Sequence, residues 1–281
     1  MNHSRQQTPQ PIVVQKYGGS SLADIDCLKR VARLIRGRHR QGERLCVVVS
    51  AMGDTTDRLL ARARDVSTEP SPRELDMLLT CGERMSMALL AMALTDLRVP
   101  CISFTGSQSG ILTDSVHTAA NIVDIRPVRV QQELARGKVV IIAGFQGVSP
   151  AREITTLRRG GSDTTAVALA VTLGARCCEI YSDVAGVHTA DPRLVSTAQP
   201  LQWIDPDSMH ELASCGARVL NAQAVALARD HGIAIHARKT GSDQPGTLIE
   251  KADCRTSSFC HSHKTGLARS RDAINRVSTI T

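Results

Sequence analysis

The sequence predicts an α/β fold: a mostly parallel sheet with helices on both faces. Three observations carry this. Short apolar runs rich in β-branched residues alternate along the chain with longer helical patterns. The apolar runs read as strands buried on both faces. Glycine-rich turns follow several of them, where ligands sit in such sheets, beyond the carboxyl ends of the strands.

Taken in order, Ile12–Gln15 reads as the first buried strand and Leu28–Ile35 as the helix after it. Cys46–Val49 is the next strand. The Val-Ser-Thr-Glu-Pro-Ser-Pro segment at 66–72 is a loop between helices, the second of them over Leu75–Leu94. Strand Cys101–Phe104, helix Val128–Ala135 and strand Val139–Ala143 follow. Asp163–Leu173 is predicted as a helix, Cys178–Tyr181 as a strand and Ala217–Asp230 as a helix. Ile233–Ala237 and Thr247–Ile249 read as closing strands. Residues 1–10 are polar and predicted to be disordered, and residues 251–281 are polar, poorly periodic and read as a tail. No internal repeat is visible.

Composition narrows the function classes. The chain has 281 residues, 42% of them hydrophobic, enough for a sizeable core. Aromatics make up 2%, so the core must be aliphatic and stacking platforms for single-stranded nucleic acid are not expected. The net charge of +7 is spread rather than gathered in a stripe. The densest run, Arg36–Arg40, ends a predicted helix, where cations are favoured anyway. No nucleic-acid partner is expected. Nine cysteines lie scattered without a paired CxxC, as free thiols in a reducing compartment would. The polar N-terminus has no apolar signal core and no stretch reads as membrane-spanning, so a cytoplasmic location without membrane contact is expected.

Two glycine-rich loops stand out. Lys16-Tyr17-Gly18-Gly19-Ser20-Ser21 follows the first strand, and Arg159-Gly160-Gly161-Ser162-Asp163-Thr164-Thr165 opens a helix. Glycines let backbone N–H groups approach an anion, and a helix start points its positive end at one. Ser50-Ala51-Met52-Gly53 occupies a similar strand end. Lys16 is either a solvated strand-end lysine or an ammonium that bridges transferring phosphates. The lysine precedes its glycines, so this is not a Walker loop. Asp163 reads as a helix cap, as a carboxylate orienting Lys16 or a metal-bound phosphate, or as both. Arg159 has the fork geometry to clamp a carboxylate. Glu83 sits in an apolar helical stretch and needs a partner, either an arginine such as Arg84 or a ligand ammonium. No standard metal-ligand spacing occurs, the Cys254, Cys260, His261 and His263 set included.

Seven segments occur in order: Lys16–Ser21, Ser50–Asp57 (SAMGDTTD), Leu78–Glu83 (LLTCGE), Phe104–Gly110 (FTGSQSG), Ala143–Gly147 (AGFQG), Thr155–Ala166 (TTLRRGGSDTTA) and Glu179–Arg193 (EIYSDVAGVHTADPR). Together they resemble the aspartate kinases of the amino acid kinase family, over about residues 12–250. The resemblance implies a three-layer α/β/α sandwich with an eight-stranded, mainly parallel sheet. It implies a catalytic domain over 11–250, with an amino-acid-binding lobe at 11–150 and a nucleotide-binding lobe at 151–250. The implied reaction passes the γ-phosphoryl group of Mg-ATP to the β-carboxylate of L-aspartate, with ATP and Mg2+ as the cofactors. By position, Lys16 would contact the β- and γ-phosphates, with Tyr17, Gly18 and Gly19 beside it and the glycines supplying backbone donors. Thr56, Glu83, Phe145, Arg159 and Ser162 would surround aspartate, Glu83 meeting its ammonium and Arg159 a carboxylate. Asp163 would organise the lysine. Ser182, Asp183, His188, Asp191, Pro192, Arg193 and Arg218 would border the nucleotide.

The chain departs from the family pattern in several places. Arg158 stands where glycine is usual before the clamp arginine, Ala185 and His188 stand for aspartate and tyrosine, and Arg218 replaces a lysine. The usual His-Gly-Asn-Ala-Arg stretch reads His117-Thr118-Ala119-Ala120-Asn121, and Asn221-Ala222-Gln223 replaces a His-Pro-Arg type. These motivate two alternatives: a kinase of another acid, or a non-catalytic nucleotide-binding partner of a full-length aspartate kinase. Lys264–Thr279 resembles the first strand entering an ACT domain. The expectation is a catalytic domain without a complete ACT effector module, as a homodimer, with a separate regulatory subunit as a possible partner.

Overall fold

The computed structural model describes residues 10–191, 194–217 and 219–252. The N-terminal residues 1–9, Pro192, Arg193, Arg218 and the tail from 253 onward, with its ACT-like segment, lie outside the described residues.

In chain order the strands are β1 (Ile12–Tyr17), β2 (Arg44–Val49), β3 (Cys101–Phe104), β4 (Ile111–Thr113), β5 (Ile122–Ile125), β6 (Val139–Ala143), β7 (Gln146–Val148), β8 (Ile154–Thr156), β9 (Cys177–Ser182), β10 (Trp203–Ile204), β11 (Ile235–Lys239) and β12 (Thr247–Ile249). The α-helices are α1 (Ile25–Arg40), α2 (Thr55–Val66), α3 (Pro72–Asp96), α4 (Val128–Ala135), α5 (Gly161–Thr172), α6 (Pro206–Ser214) and α7 (Ala222–His231). Eight strands form one sheet in the order β10-β12-β11-β9-β1-β2-β6-β3, parallel except between β11 and β12. The expected α/β architecture with an eight-stranded, mainly parallel sheet is therefore observed.

Strand β1 lies in the middle, with β2 on one side and β9 on the other. After β1 the chain runs on to β2 on one side, and after β9 it runs on to β11 on the other; that divergence between β1 and β9 opens a crevice at the carboxyl ends. Side chains alternate between the sheet's faces. Val14, Cys46, Val48 and Ile142 pack on one face with residues of α4, α5 and α7. Val13, Tyr17, Val47 and Val49 pack on the other with α1 and α3. Lys16 shares the α5 face; Tyr17 does not.

Local chemistry explains the helices that frame the crevice. Helix α1 buries Leu28, Val31, Ala32 and Ile35, one stripe at i, i+3, i+4 and i+7. Asp24 caps it by accepting the Cys27 N–H at 2.7 Å, and Arg38, His39 and Arg40 close its negative end. Helix α5 is apolar nearly all round because β1 and β9 cover one side and α7 another. Beneath the crevice, on the α1 side, a buried carboxylate ties strands together. Glu179 of β9 accepts from Gln15 of β1 at 2.8 Å and pairs with Arg38 of α1 at 3.1 Å. Burial pushes the Glu179 carboxyl up, but Arg38, Gln15 and Arg238 outweigh it and hold the group below the usual carboxylate range.

Several elements differ from expectation. A second sheet, ordered β5-β4-β7-β8, was not foreseen; its strands of three or four residues mix polar with apolar residues and lie beside glycine-rich turns. Helix α6 was also unforeseen, and α2, expected before the 66–72 loop, had no bounds from sequence; it buries only Thr55. Helix α7 starts at Ala222 rather than 217: Gly216 has φ +103° and Asn221 is the N-cap, its side chain accepting the Ala224 N–H. Contrary to expectation, α3 reaches membrane-spanning length and apolarity at 25 residues. Asp76 and Glu83 are on its buried side and it packs against α1, α2 and strands of the sheet, as a core helix does.

Candidate active site

The crevice brings the two glycine-rich loops together. Lys16 ends β1, and its Nζ lies 2.7 Å from Asp163 Oδ1 in the first turn of α5. Both side chains are about nine-tenths buried, at 12% and 11% exposure. Residues 147 positions apart thus form one ion pair where the strand's end meets the helix's positive start. A Cβ on Gly18 would stand 3.3 Å from the lysine nitrogen, so the glycine leaves the ammonium accessible. Gly160 has φ +84°, and this left-handed turn starts α5 directly over the crevice.

On one flank, β6 ends in Gly144 and Phe145. A Cβ on Gly144 would lie 2.8 Å from Ser162 Oγ, so the glycine admits α5 to the strand end. Phe145 holds φ +66°, a conformation rare outside glycine, fixed by two bonds. Its N–H donates to Thr165 Oγ1 at 3.2 Å and its carbonyl accepts from Leu157 at 2.9 Å. Ser162 and Phe145 therefore adjoin the same helix start.

Glu83 is 3% exposed and approaches from α3. Gly82 permits the approach, since a Cβ there would meet Ala51 Cβ at 2.7 Å. The Ala51 N–H donates to Glu83 Oε1 at 3.1 Å, while Oε2 is buried without a partner. Burial raises the Glu83 carboxyl to about 7, against the smaller opposing pull of the Ala51 N–H. The internal ion pair considered from sequence does not form: Arg84 Nε donates to Gln146 Oε1 at 3.3 Å instead. Glu83 Oε2 is thus left open to a donor from outside α3.

Arg159 projects outward, 89% exposed, with one long contact to Asp57 at 3.4 Å. Asp57 is in the first turn of α2, next to Thr56, so Arg159 and Thr56 flank the same opening. Across the crevice, Ser182 ends β9 and Asp183 follows it. Asp183 Oδ1 accepts from Ser20 Oγ at 3.2 Å, which joins this segment to the first glycine loop. His188 bridges to Pro200 farther along, and the Asp191 carbonyl caps the short turn at Leu194–Val195. Pro192, Arg193 and Arg218 are among the residues not described.

Two sequence expectations need correction. Tyr17 is 1% exposed and stacks on Tyr181 with ring centroids 4.8 Å apart, on the face away from Lys16. Side-chain alternation along β1 dictates this, so Tyr17 offers the crevice only its backbone. The Gly18 N–H donates to the Tyr181 carbonyl at 3.1 Å and is not a spare donor. One residue was missed: Asn221 donates its N–H to Asp163 Oδ2 at 3.3 Å and its Nδ2 to the Arg159 carbonyl at 3.2 Å. An asparagine before a helix reads only as a cap, and nothing in the sequence points it at a loop some 60 residues earlier.

The fold and site define a class, α/β proteins in which two glycine-rich loops meet at the carboxyl ends of a mainly parallel sheet. The amino acid kinase family profile matches residues 11–238, and the chain belongs to that family. The chain is 54% identical over 239 residues to a protein named aspartokinase from Mycobacterium tuberculosis, covering 85% of this chain and 57% of the relative. An aspartokinase of Corynebacterium glutamicum is 52% identical over the same shares. The chain spans little more than half the length of the curated relatives it matches. Among solved structures, an aspartate kinase from Synechocystis superposes with a TM-score of 0.77 at 47% identity, over 85% of this chain and 40% of the other. Aspartokinase III of E. coli, in complex with aspartate and ADP, gives 0.78 at 27% identity, over 85% and 64%.

Proposed function

We propose that this chain is an aspartate kinase catalytic unit, transferring the γ-phosphoryl group of ATP to the β-carboxylate of L-aspartate. The observation that carries it is the Lys16–Asp163 pair joining both glycine-rich loops at the mouth of the crevice. The acceptor carboxylate is ionised near neutral pH, so no general base is needed. The oxygen of that carboxylate bonds to phosphorus as the bond from phosphorus to the bridging oxygen of ADP breaks, and no proton moves. Catalysis is then alignment and neutralisation of charge.

In this reading Lys16 stabilises charge on the transferring phosphoryl group and Asp163 fixes the position of its ammonium. The start of α5 adds its dipole. Glu83 Oε2 receives the amino acid's ammonium, which supplies the cation that the buried oxygen lacks. Arg159 takes a carboxylate of the substrate, with Thr56, Ser162 and Phe145 around it. Ser182, Asp183, His188, Asp191, Pro192, Arg193 and Arg218 border the nucleotide. Among the described residues no group of three or more acidic, His or Cys side chains could cage a metal ion. Mg2+ rides on substrate phosphates and water with one or two carboxylates, and Asp163, beside Lys16, is the carboxylate that would face it. When bound, the ion would neutralise phosphate charge. The described cysteines are free thiols, as the proposed cytoplasmic setting requires.

A hydroxylamine trap for acyl phosphate tests the proposal, with the purified chain, Mg-ATP and a panel of carboxylic acids. Hydroxamate formed with L-aspartate and not with the other acids is expected. Signal with a different acid, or ATP binding without turnover, would replace it by one of the two alternatives above.

A further inference from the structure

We propose that Asn221 is a positioning residue: it locks the Arg159–Asp163 loop to helix α7 and so holds both ends of the phosphoryl-transfer site in register. The inference rests on the reaction class proposed above.

Besides the helical bond its carbonyl accepts from the Val225 N–H, Asn221 makes three bonds, each to a different part of the site. Its backbone N–H meets Asp163 Oδ2 at 3.3 Å, and the other oxygen of Asp163 holds Lys16 at 2.7 Å. Its Nδ2 donates to the Arg159 carbonyl at 3.2 Å. Its Oδ1 accepts the Ala224 N–H at 3.2 Å and caps α7. The amide has one donor end and one acceptor end, and each faces its complement, so the orientation is determined. Between Arg159 and Asp163 lies Gly160, at φ +84°; a Cβ on it would stand 2.2 Å from Asn221 Nδ2. The loop and the asparagine are thus fitted against each other without slack. These residues also wall one cavity, which Arg159, Gly160, Asp163, Leu220 and Asn221 line. A shift of Asn221 would move the phosphate end through Asp163 and the acceptor end through Arg159 together. A helix cap alone has no need of the bond to Arg159.

Two variants separate the roles. Asn221→Ser and Asn221→Asp both keep a good N-cap, and neither offers an N–H to the Arg159 carbonyl. Hydrogen exchange on the full chain reads the loop, where the amides of Gly161, Asp163 and Thr164 bond to Arg158 and Gly160 carbonyls. The expected result for Asn221→Ser is unchanged protection in 222–231, about fivefold faster exchange in 161–164, and kcat lower by about fivefold. Asn221→Asp should lose more, because it sets a carboxylate against a carbonyl and near Asp163. Loop exchange equal to the parent's in both variants would overturn the inference and leave Asn221 a cap. Faster loop exchange with unchanged kcat would overturn it as well. If the parent chain phosphorylates another acid, kcat is read on that acid. If it phosphorylates none, the function proposal fails and exchange alone decides the lock.

Discussion

If Glu83 receives the substrate's ammonium as proposed, its orphaned oxygen should make amino-acid affinity depend on pH in a window where most carboxylates are silent. The group is buried, its carboxyl is raised from 4.5 to about 7, and its Oε2 has no partner. The folded protein therefore holds a proton there that the unfolded chain would release above pH 4.5. Stability contributed by this group falls as pH rises from about 4.5 to about 7, by about 3 kcal/mol in all. A bound ammonium reverses the effect, because it pairs with the ionised form. The substrate must then find Glu83 ionised, or expel its proton. At pH 8 about nine-tenths of the molecules are ionised and at pH 6 about one-tenth, so the KM for aspartate should rise about tenfold between them. The amino group of a free amino acid stays charged across that range. Initial rates at saturating Mg-ATP, from pH 6 to 8, measure it. Glu83→Gln should raise KM at every pH, flatten the profile, and make the unliganded protein more stable at pH 8. A KM independent of pH in the parent, or a pH-dependent one retained in Glu83→Gln, would refute the assignment.

Lys16→Ala should lower kcat by about a hundredfold or more, since it removes the charge that meets the transferring group; a retained rate would remove Lys16 from its role. Gly160→Ala should cost about 1–3 kcal/mol in a urea titration, because an alanine at φ +84° is strained and its Cβ meets Asn221. Arg159→Lys should raise the KM for aspartate yet leave the melting temperature within about a degree, since the side chain is almost wholly exposed and only its fork geometry is lost.

Much of the scaffold was legible because it is long and apolar. Strands β1, β2, β3, β6 and β9 and helices α1, α3, α4 and α5 follow from runs whose hydrophobic pattern persists past one turn or one pleat. The small sheet is invisible by the same criterion. Its strands break their apolar residues with polar ones, as Gln146-Gly147-Val148 and Ile154-Thr155-Thr156 do, so neither a continuous apolar run nor a sustained alternation marks them. At the site, Lys16 and Asp163 were nameable from their glycines, and the side chain of Tyr17 was misplaced. The motif joins neighbours in sequence, whereas β1 sends Lys16 and Tyr17 to opposite faces. The sequence left Glu83 with an internal arginine or an external cation as partner; Arg84 reaches Gln146 and not Glu83.

By itself, then, the sequence determined which residue types are available and where the chain can bend: a lysine and an aspartate each beside glycines, and aliphatic strands able to bury on both faces. Only the tertiary structure decided which of them meet. Pairing 147 residues apart, an unmatched oxygen on α3 and the grip of Asn221 on a loop some 60 residues away are properties of distance in space, which packing sets and local periodicity does not contain.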